Sequence, residues 1–127
     1  MSRSSFVDHL VFRVRNLNET RRFYTIVLDQ EPVCSEDSIM YQVGDTRLFF
    51  TSCKRTNDRQ YEKENVGLNH VAFGVRALAE LDSVQKRLDL AKVVHSGIKK
   101  DHYGQKEFIW LDDPDNMRLE FYVRPLP

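Results

Sequence analysis

The sequence predicts an α+β fold of two βαβββ modules, whose eight strands form one curved, cup-shaped sheet with the helices outside. Two observations predict this fold. The stretch "DHLVFRVRNL" at positions 8–17 returns as "NHVAFGVRAL" at positions 69–78, with identical residues at five of ten positions. After each copy, apolar residues at helical spacing are followed by short runs between turn residues. Such a repeat indicates one structural unit that is present twice.

The first module begins with the strand "DHLVFRV", and a helix follows it. Asn16 or Asn18 can cap this helix, and Glu19 in the first turn suits the positive end of the helix dipole. The apolar residues at helical spacing are Phe23, Ile26 and Val27. Three short strands are then predicted, separated by Glu-Asp and Gly-Asp turn signals: "PVCSED", "SIMYQV" and "TRLFFT".

The second module repeats this order from "NHVAFGV" onward. Its helix has apolar residues at Leu78, Leu81, Val84 and Leu88. The strands predicted after the helix are "KVVHSGI", "KEFIWL" and "MRLEFYV". The turn "DDPDN" comes before the last of them, and its proline and asparagine are typical turn residues.

The modules are predicted to form one domain over residues 1–127, because this length suits a single core. Module one spans about 5–52 and module two about 67–125. The segment between them, about 53–66, is polar, rich in charge and almost free of aliphatic residues, which is typical of an exposed connection.

Composition excludes several classes of function. The chain has 19 basic and 19 acidic residues and no net charge, which argues against nucleic acid or a membrane surface as the partner. We find no signal peptide and no stretch of membrane-spanning length, so we expect a cytoplasmic protein. Cys34 and Cys53 are interpreted as free thiols, with one disulfide between them as the alternative.

Strand alternation gives the two repeated histidines an equivalent position. Side chains on a strand point to opposite faces in turn, so one face of each first strand packs under its helix. His9 and His70 lie on the other face, which lines the predicted cup. Because Ala72 and Gly74 share the face of His70 and are small, that face leaves room for a ligand.

A carboxylate is expected to join the histidines. Alignment of the last strands places Glu120 opposite Phe49, on the face of Arg118 and Tyr122. Two imidazoles and one carboxylate with open positions form the facial arrangement that binds a divalent metal ion such as Fe(II), while Mn(II) or Zn(II) are alternatives. The sequence therefore predicts a metal ion held by His9, His70 and Glu120.

The chain resembles the vicinal oxygen chelate superfamily, which includes glyoxalases, extradiol dioxygenases, fosfomycin-resistance enzymes, epimerases and bleomycin-resistance proteins. The motifs that carry the resemblance are "DHLVFRV", "RRFYTIVLDQEPV", "LNHVAFGV" and "FIWLDDPDNMRLEFY", which extend over nearly the whole chain. The resemblance implies the same three ligands, a small-molecule substrate and a homodimer. Asn116 replaces the glycine that the family commonly has after "DPD", and asparagine can still adopt a left-handed turn.

The resemblance leaves the reaction open. Glyoxalase-type members have glutamate and epimerase-type members glutamine where this chain has Phe49, which cannot ligate a metal. A three-ligand set is similar to extradiol dioxygenases, which is the leading expectation. A glyoxalase-like lyase or isomerase is the alternative, and a metal-free protein that sequesters a ligand is a further one. Fosfomycin thiol transferases usually have threonine where this chain has Val11, which makes them a weaker match.

The remaining candidate residues surround the predicted cup. Similarity to the dioxygenases gives His102 an acid/base role, with a solvated loop histidine as the alternative and Tyr103 beside it as a second proton donor. Arg13 and Arg118 could hold a substrate carboxylate or phosphate, with a place at the rim of the cup or in a dimer contact as the alternatives. The aromatic candidates for contact with a planar substrate are Tyr41, Phe49, Trp110 and Tyr122, with ordinary packing as the alternative.

Overall fold

The computed structural model describes residues 4–55 and 59–127, and it divides into two compact units, Met1–Arg59 and Gln60–Pro127. Each unit has one helix and one four-stranded sheet, so the α+β class and the repeated βαβββ order are confirmed. The eight strands are divided equally between the two sheets. Positions 56–58 of the predicted linker lie outside the described residues, and the single domain stays a prediction.

Unit one contains four strands and one helix in the expected order. The elements are β1 (His9–Val14), α1 (Leu17–Leu28), β2 (Val33–Cys34), β3 (Ser38–Val43) and β4 (Thr46–Ser52). The strand order in the sheet is β1-β4-β3-β2. β1 runs parallel to β4, and the other pairs are antiparallel. β1 forms one edge of the sheet. It can pair with β4 in parallel because the connection after β1 contains the helix α1, and parallel strands need such a long connection.

Asn16 caps helix α1, which decides between the two predicted caps. Its backbone is extended, and its side-chain oxygen accepts a hydrogen bond of 3.0 Å from the Glu19 N–H. The helix ends at Leu28 because Asp29 adopts a left-handed conformation, with φ of 51°, and its N–H donates to the Ile26 carbonyl. The sequence therefore sets both ends of α1 locally.

Replacing Asn16 with alanine is expected to lower the free energy of unfolding by about 1 kcal/mol, because the Glu19 N–H loses its partner. Asn18→Ala is the matched control, since Asn18 is exposed inside the helix, where alanine has the higher propensity. Urea denaturation followed by circular dichroism measures both variants. Equal stability of the two variants would contradict the assigned cap.

The core of unit one is an aromatic cluster between α1 and the sheet. Tyr24, Tyr41 and Phe50 are fully buried, and the ring centres of Tyr24 and Phe50 lie 4.4 Å apart. The Tyr41 hydroxyl donates to the Arg21 carbonyl and accepts from Thr25, and burial raises the pKa of Tyr41. The candidate role of Tyr41 in substrate contact is therefore wrong, because its ring packs under the helix rather than on the opposite face.

Unit two repeats the order with its own sheet. The elements are β5 (His70–Val75), α2 (Leu78–Leu90), β6 (Lys99–Lys100), β7 (Glu107–Asp112) and β8 (Arg118–Val123). The strand order is β5-β8-β7-β6, with β5 parallel to β8. Asn116 has φ of 71° in the turn before β8, which confirms its expected left-handed conformation.

The strand predicted at "KVVHSGI" is wrong, because the strand of this region is β6, further along the chain. Lys92 and Gly97 have φ of 59° and 76°, which interrupts an extended run. Between them, the Ser96 N–H donates to the Trp110 carbonyl, but the Ser96 hydroxyl accepts from the Trp110 N–H in place of a backbone carbonyl. The segment therefore lies beside β7 without a regular ladder.

The predicted strand faces are confirmed in unit two. Phe73, Leu119 and Phe121 are buried, while His70, Glu120 and Tyr122 of the same strands are more exposed. The buried face packs against Leu81, Val84 and Leu88 of α2. Leu78, the first residue of the predicted stripe, is exposed. Within the described chain, neither helix has the length and apolar character that crossing a membrane requires.

Candidate functional site

His70 and Glu120 lie side by side on the open face of unit two. The parallel register of β5 and β8 pairs Ala72 with Glu120, which places His70 diagonally across from the carboxylate. Nε2 of His70 is 3.6 Å from Oε2 of Glu120. The Glu120 side chain is half-buried and the His70 ring is more open. The two predicted ligands of this unit therefore converge.

The residue before His70 fixes its ring. Nδ1 of His70 is 2.8 Å from Oδ1 of Asn69, and the Asn69 amide nitrogen donates to the Lys63 carbonyl at 2.9 Å. That second bond orients the amide, so the oxygen faces the imidazole and must accept a proton from Nδ1. A neutral His70 then has its lone pair on Nε2, which is the atom that faces Glu120.

His9 has the same arrangement in unit one. Its Nδ1 is 2.8 Å from Oδ2 of Asp8, and a carboxylate can only accept, so Nε2 again carries the lone pair in the neutral ring. Phe49 packs edge-on against the imidazole, with ring centroids 5.8 Å apart. The repeat therefore provides each histidine with an oxygen acceptor from the preceding residue, the support that metal-binding histidines usually have.

The chemistry of these donors suits a divalent ion. A metal ion with bonds of about 2.1 Å holds two neighbouring ligand atoms roughly 3.0 to 3.4 Å apart. The 3.6 Å between His70 and Glu120 is close to that separation. Across residues 4–55 and 59–127, no group of three or more His, Cys, Asp or Glu side chains is close enough to hold a metal ion. The pair in unit two is thus a two-ligand arrangement.

Asn69→Ala is expected to weaken metal binding by about 10- to 100-fold, because the ring of His70 loses the acceptor that orients it. Isothermal titration with Mn(II) or Zn(II) measures the affinity. Asn65→Ala, in the same loop and exposed, is the control that should leave the affinity unchanged. If Asn69→Ala binds metal as well as the unchanged protein, the orienting role of Asn69 is wrong.

A cavity of about 550 Å³ opens beside the His70–Glu120 pair. Its floor is the strand surface at Ala72 and Gly74, where a Cβ added to Gly74 would meet no atom within 4 Å. The far part is lined by Asp101, Tyr103, Phe108, Tyr122 and Arg124. The space that the small residues predicted is therefore present, within unit two.

A turn at Asp101 holds the Tyr122 hydroxyl in this cavity. The Asp101 carboxylate accepts from the backbone N–H groups of Tyr103 and Gly104 and, at 2.6 Å, from the Tyr122 hydroxyl. The Tyr122 bond lowers the pKa of Asp101, and the same bond raises the pKa of Tyr122. Tyr122 thus remains a protonated phenol near neutral pH. A side chain at Gly104 would displace this hydroxyl.

Both predicted arginines make hydrogen bonds to residues of their own unit. The guanidinium of Arg118 lies 3.9 Å from the ring centre of Trp110 and donates to Asp112 at 2.7 Å. Arg13 donates to the Thr51 hydroxyl at 3.0 Å, beside a smaller cavity of about 200 Å³. These contacts position both guanidinium groups, while their roles in substrate binding stay predictions.

The two predicted proton donors lie on the Asp101 turn. Tyr103 is 92% exposed and lines the cavity. His102 is exposed and packs edge-on against the Tyr103 ring. Two cavity residues, Asp101 and Arg124, were not predicted from the sequence. Alternation from Glu120 through Tyr122 would have placed Arg124 on the cavity face, whereas no sequence pattern indicated Asp101.

The chain matches the Glyoxalase/Bleomycin resistance protein/Dioxygenase superfamily over residues 6–121, and it belongs to that superfamily. The metallothiol transferase FosB of Bacillus licheniformis is 26% identical over 118 residues, 92% of this chain and 74% of that protein. The uncharacterized protein YaeR of Escherichia coli is 35% identical over 65 residues, 51% of this chain and 48% of YaeR, so this match spans about half of that relative.

Solved structures have the same fold at lower identity. The glyoxylase/bleomycin resistance protein/dioxygenase domain from Frankia sp. EAN1pec has a TM-score of 0.78 at 21% identity, covering 95% of this chain and 93% of that one. The fosfomycin resistance protein FosX from Mesorhizobium loti has a TM-score of 0.69 at 20% identity, covering 98% and 96%. The superfamily thus includes metalloenzymes, of which FosB is one.

Proposed function

We propose that the protein is a metal-dependent enzyme whose small-molecule substrate chelates one divalent ion (Fe, Mn or Zn) through two adjacent oxygens. His9, His70 and Glu120 are the proposed ligands. The observation that carries the proposal is the 3.6 Å approach of His70 Nε2 to Glu120 Oε2 beside an open cavity. The matched oxygen acceptors at Nδ1 of both histidines support it, because they prepare each Nε2 for ligation.

The charge of the proposed metal site favours an anionic substrate. Two neutral imidazoles and one carboxylate leave a divalent ion with a net charge near plus one, so a catecholate, a 2-hydroxyketone or an enediolate suits the site. When bound, the ion supplies Lewis acidity and a template for the two oxygens. Ala72 and Gly74 leave the floor open for the body of the substrate. Of the two proposed proton donors, Tyr103 is the one whose side chain lines this cavity.

Extradiol-type ring cleavage is the leading reaction. Phe49 has no ligating atom beside His9, so the three-ligand set keeps positions for a diol and for O2. A glyoxalase-like lyase or isomerase is less well supported, because the residue at the place of Phe49 would serve as its fourth ligand. Transfer of a thiol is a second candidate, favoured by the similarity to the metallothiol transferase FosB. A metal-free, ligand-sequestering protein would leave the supported histidines without a role.

Oxygen uptake tests the leading reaction. The protein is loaded with Fe(II) without air, then mixed with catechol and O2. We expect one O2 consumed per catechol and an absorption band from the ring-opened product, both absent in His70→Ala. If no O2 is consumed, and the Mn(II)-loaded protein instead consumes free cysteine thiol in the presence of fosfomycin, the thiol-transfer candidate replaces ring cleavage.

We also propose that the protein is a homodimer, as the family resemblance implies. Light scattering coupled to size exclusion should then give twice the chain mass of 15.0 kDa. A mass of one chain at all concentrations tested would contradict a dimer.

A further inference from the structure

The cavity of unit two has opposite charges at the end away from His70. The Asp101 carboxylate is bonded to the hydroxyl of Tyr122, and the guanidinium of Arg124 lies 5.0 Å from the centre of the same ring. All three side chains line the cavity. Tyr122 therefore stands between a negative and a positive group, and neither group belongs to the proposed metal-binding set.

The Tyr122 hydroxyl can accept a hydrogen bond from a ligand but cannot donate one. A phenol has one proton, and Tyr122 gives it to Asp101 at 2.6 Å. Toward the cavity its oxygen presents lone pairs only, and the ionised Asp101 is also only an acceptor. The Asp101 carboxylate also accepts from the backbone N–H groups of Tyr103 and Gly104, so three donors hold it in place as an acceptor. The Asp101 side of the cavity therefore suits a hydrogen-bond donor with positive charge.

Arg124 offers the complement on the other side. Its backbone is fixed, because its N–H donates to the Val75 carbonyl at 2.7 Å and its carbonyl accepts from the Arg76 guanidinium at 3.1 Å. The central carbon of its guanidinium lies 5.0 Å from the centre of the Tyr122 ring, within the range of a cation–π contact. A guanidinium has five N–H donors and no acceptor, so it can hold a carboxylate through two parallel hydrogen bonds.

We propose that this end of the cavity binds the α-amino acid head group of the ligand, with the ammonium on Asp101 and the Tyr122 oxygen and the carboxylate on Arg124. The proposal rests on the proposed function, since the other end of the ligand is taken to chelate the metal ion. Glu120 and Arg124 are four residues apart on one extended segment, a span of about 13 Å. The ligand class is therefore a small molecule with two adjacent oxygens at one end and an amino acid group at the other.

Four catechols with the same two-carbon chain on the ring test this inference on the Zn(II)-loaded protein, which cannot cleave them. 3,4-Dihydroxyphenylalanine has both charged groups, dopamine lacks the carboxylate, 3-(3,4-dihydroxyphenyl)propanoate lacks the ammonium, and 4-ethylcatechol lacks both. Trp110 is the only tryptophan and is paired with Glu120, so its fluorescence reports binding. We expect the L-amino acid to bind about tenfold more tightly than either singly charged compound, in keeping with one charged hydrogen bond per group.

Variants assign each charge to its residue. Arg124→Gln should remove the preference for the carboxylate and keep that for the ammonium, and Asp101→Asn should do the reverse. Arg22→Gln and Asp82→Asn change exposed residues on the two helices and should alter neither preference. Thermal unfolding identifies any variant that has not folded, and Tyr122→Phe then tests the ammonium side independently.

The outcomes separate the two proposals. If 4-ethylcatechol binds but the amino acid binds no more tightly, the head-group site is wrong while the chelation stands. If the propanoate or dopamine binds as tightly as the amino acid, the paired recognition is overturned. If none of the four binds to the Zn(II)-loaded protein, the chelating function is wrong, and the head-group proposal falls with it.

Discussion

Glu120→Gln is expected to weaken divalent-metal binding by at least about 100-fold. Loss of a supporting group around a metal typically costs 10- to 100-fold, and loss of a charged ligand costs more. Glutamine retains the shape of the side chain but not its negative charge, so the half-buried position beside His70 keeps its packing. Titration calorimetry with Mn(II) and Zn(II) measures the loss directly.

The control for this variant lies in the same sheet. Glu107 is on β7 with its side chain on the face of Ile109, opposite the cavity, so Glu107→Gln should bind metal normally. Metal at 100 times its dissociation constant should stabilise the unchanged protein by about 2.7 kcal/mol and leave Glu120→Gln almost unaffected. Tight binding by Glu120→Gln would remove the carboxylate from the proposed ligand set.

Phe50→Ala is expected to lower the free energy of unfolding by about 3 to 5 kcal/mol. Phe50 is fully buried and contacts Tyr24 and Tyr41, so its removal leaves a cavity at the centre of the unit-one core. Because small proteins have only about 5 to 15 kcal/mol of total stability, the variant should lose much of its folded population on mild heating.

Phe6→Ala is the matched control, because Phe6 is 65% exposed and its removal opens no cavity. Guanidinium denaturation followed by circular dichroism compares the two variants. A loss of less than 1 kcal/mol for Phe50→Ala would contradict the assignment of Phe50 to a tightly packed core.

Much of the fold could be predicted because local patterns determine it. The strands β5 and β8 have period-two alternation, and their predicted buried faces include Phe73 and Phe121, which are buried in the structure. Asn16 and Asn116 act through their own side chain and backbone, so each could be interpreted without knowing its tertiary neighbours. The close approach of His70 to Glu120 followed from aligned strand faces alone.

The features that could not be predicted depend on contacts distant in sequence. Asp101 belongs to the cavity because Tyr122, 21 residues later, donates to it. Tyr41 is different, because alternation along Ser38–Val43 already puts it on the face of Ile39, which is buried. The irregular segment before β6 looked like a strand by composition, yet Ser96 uses its hydroxyl where a strand would use its carbonyl.

Anomalous diffraction from crystals of the Mn(II)-loaded protein shows directly whether His9, His70 and Glu120 ligate the same metal ion. We expect one strong anomalous peak, about 2.0 to 2.3 Å from Nε2 of each histidine and from a carboxylate oxygen of Glu120. A peak that lacks either histidine, or crystals with metal bound only elsewhere on the chain, would contradict the proposed ligand set.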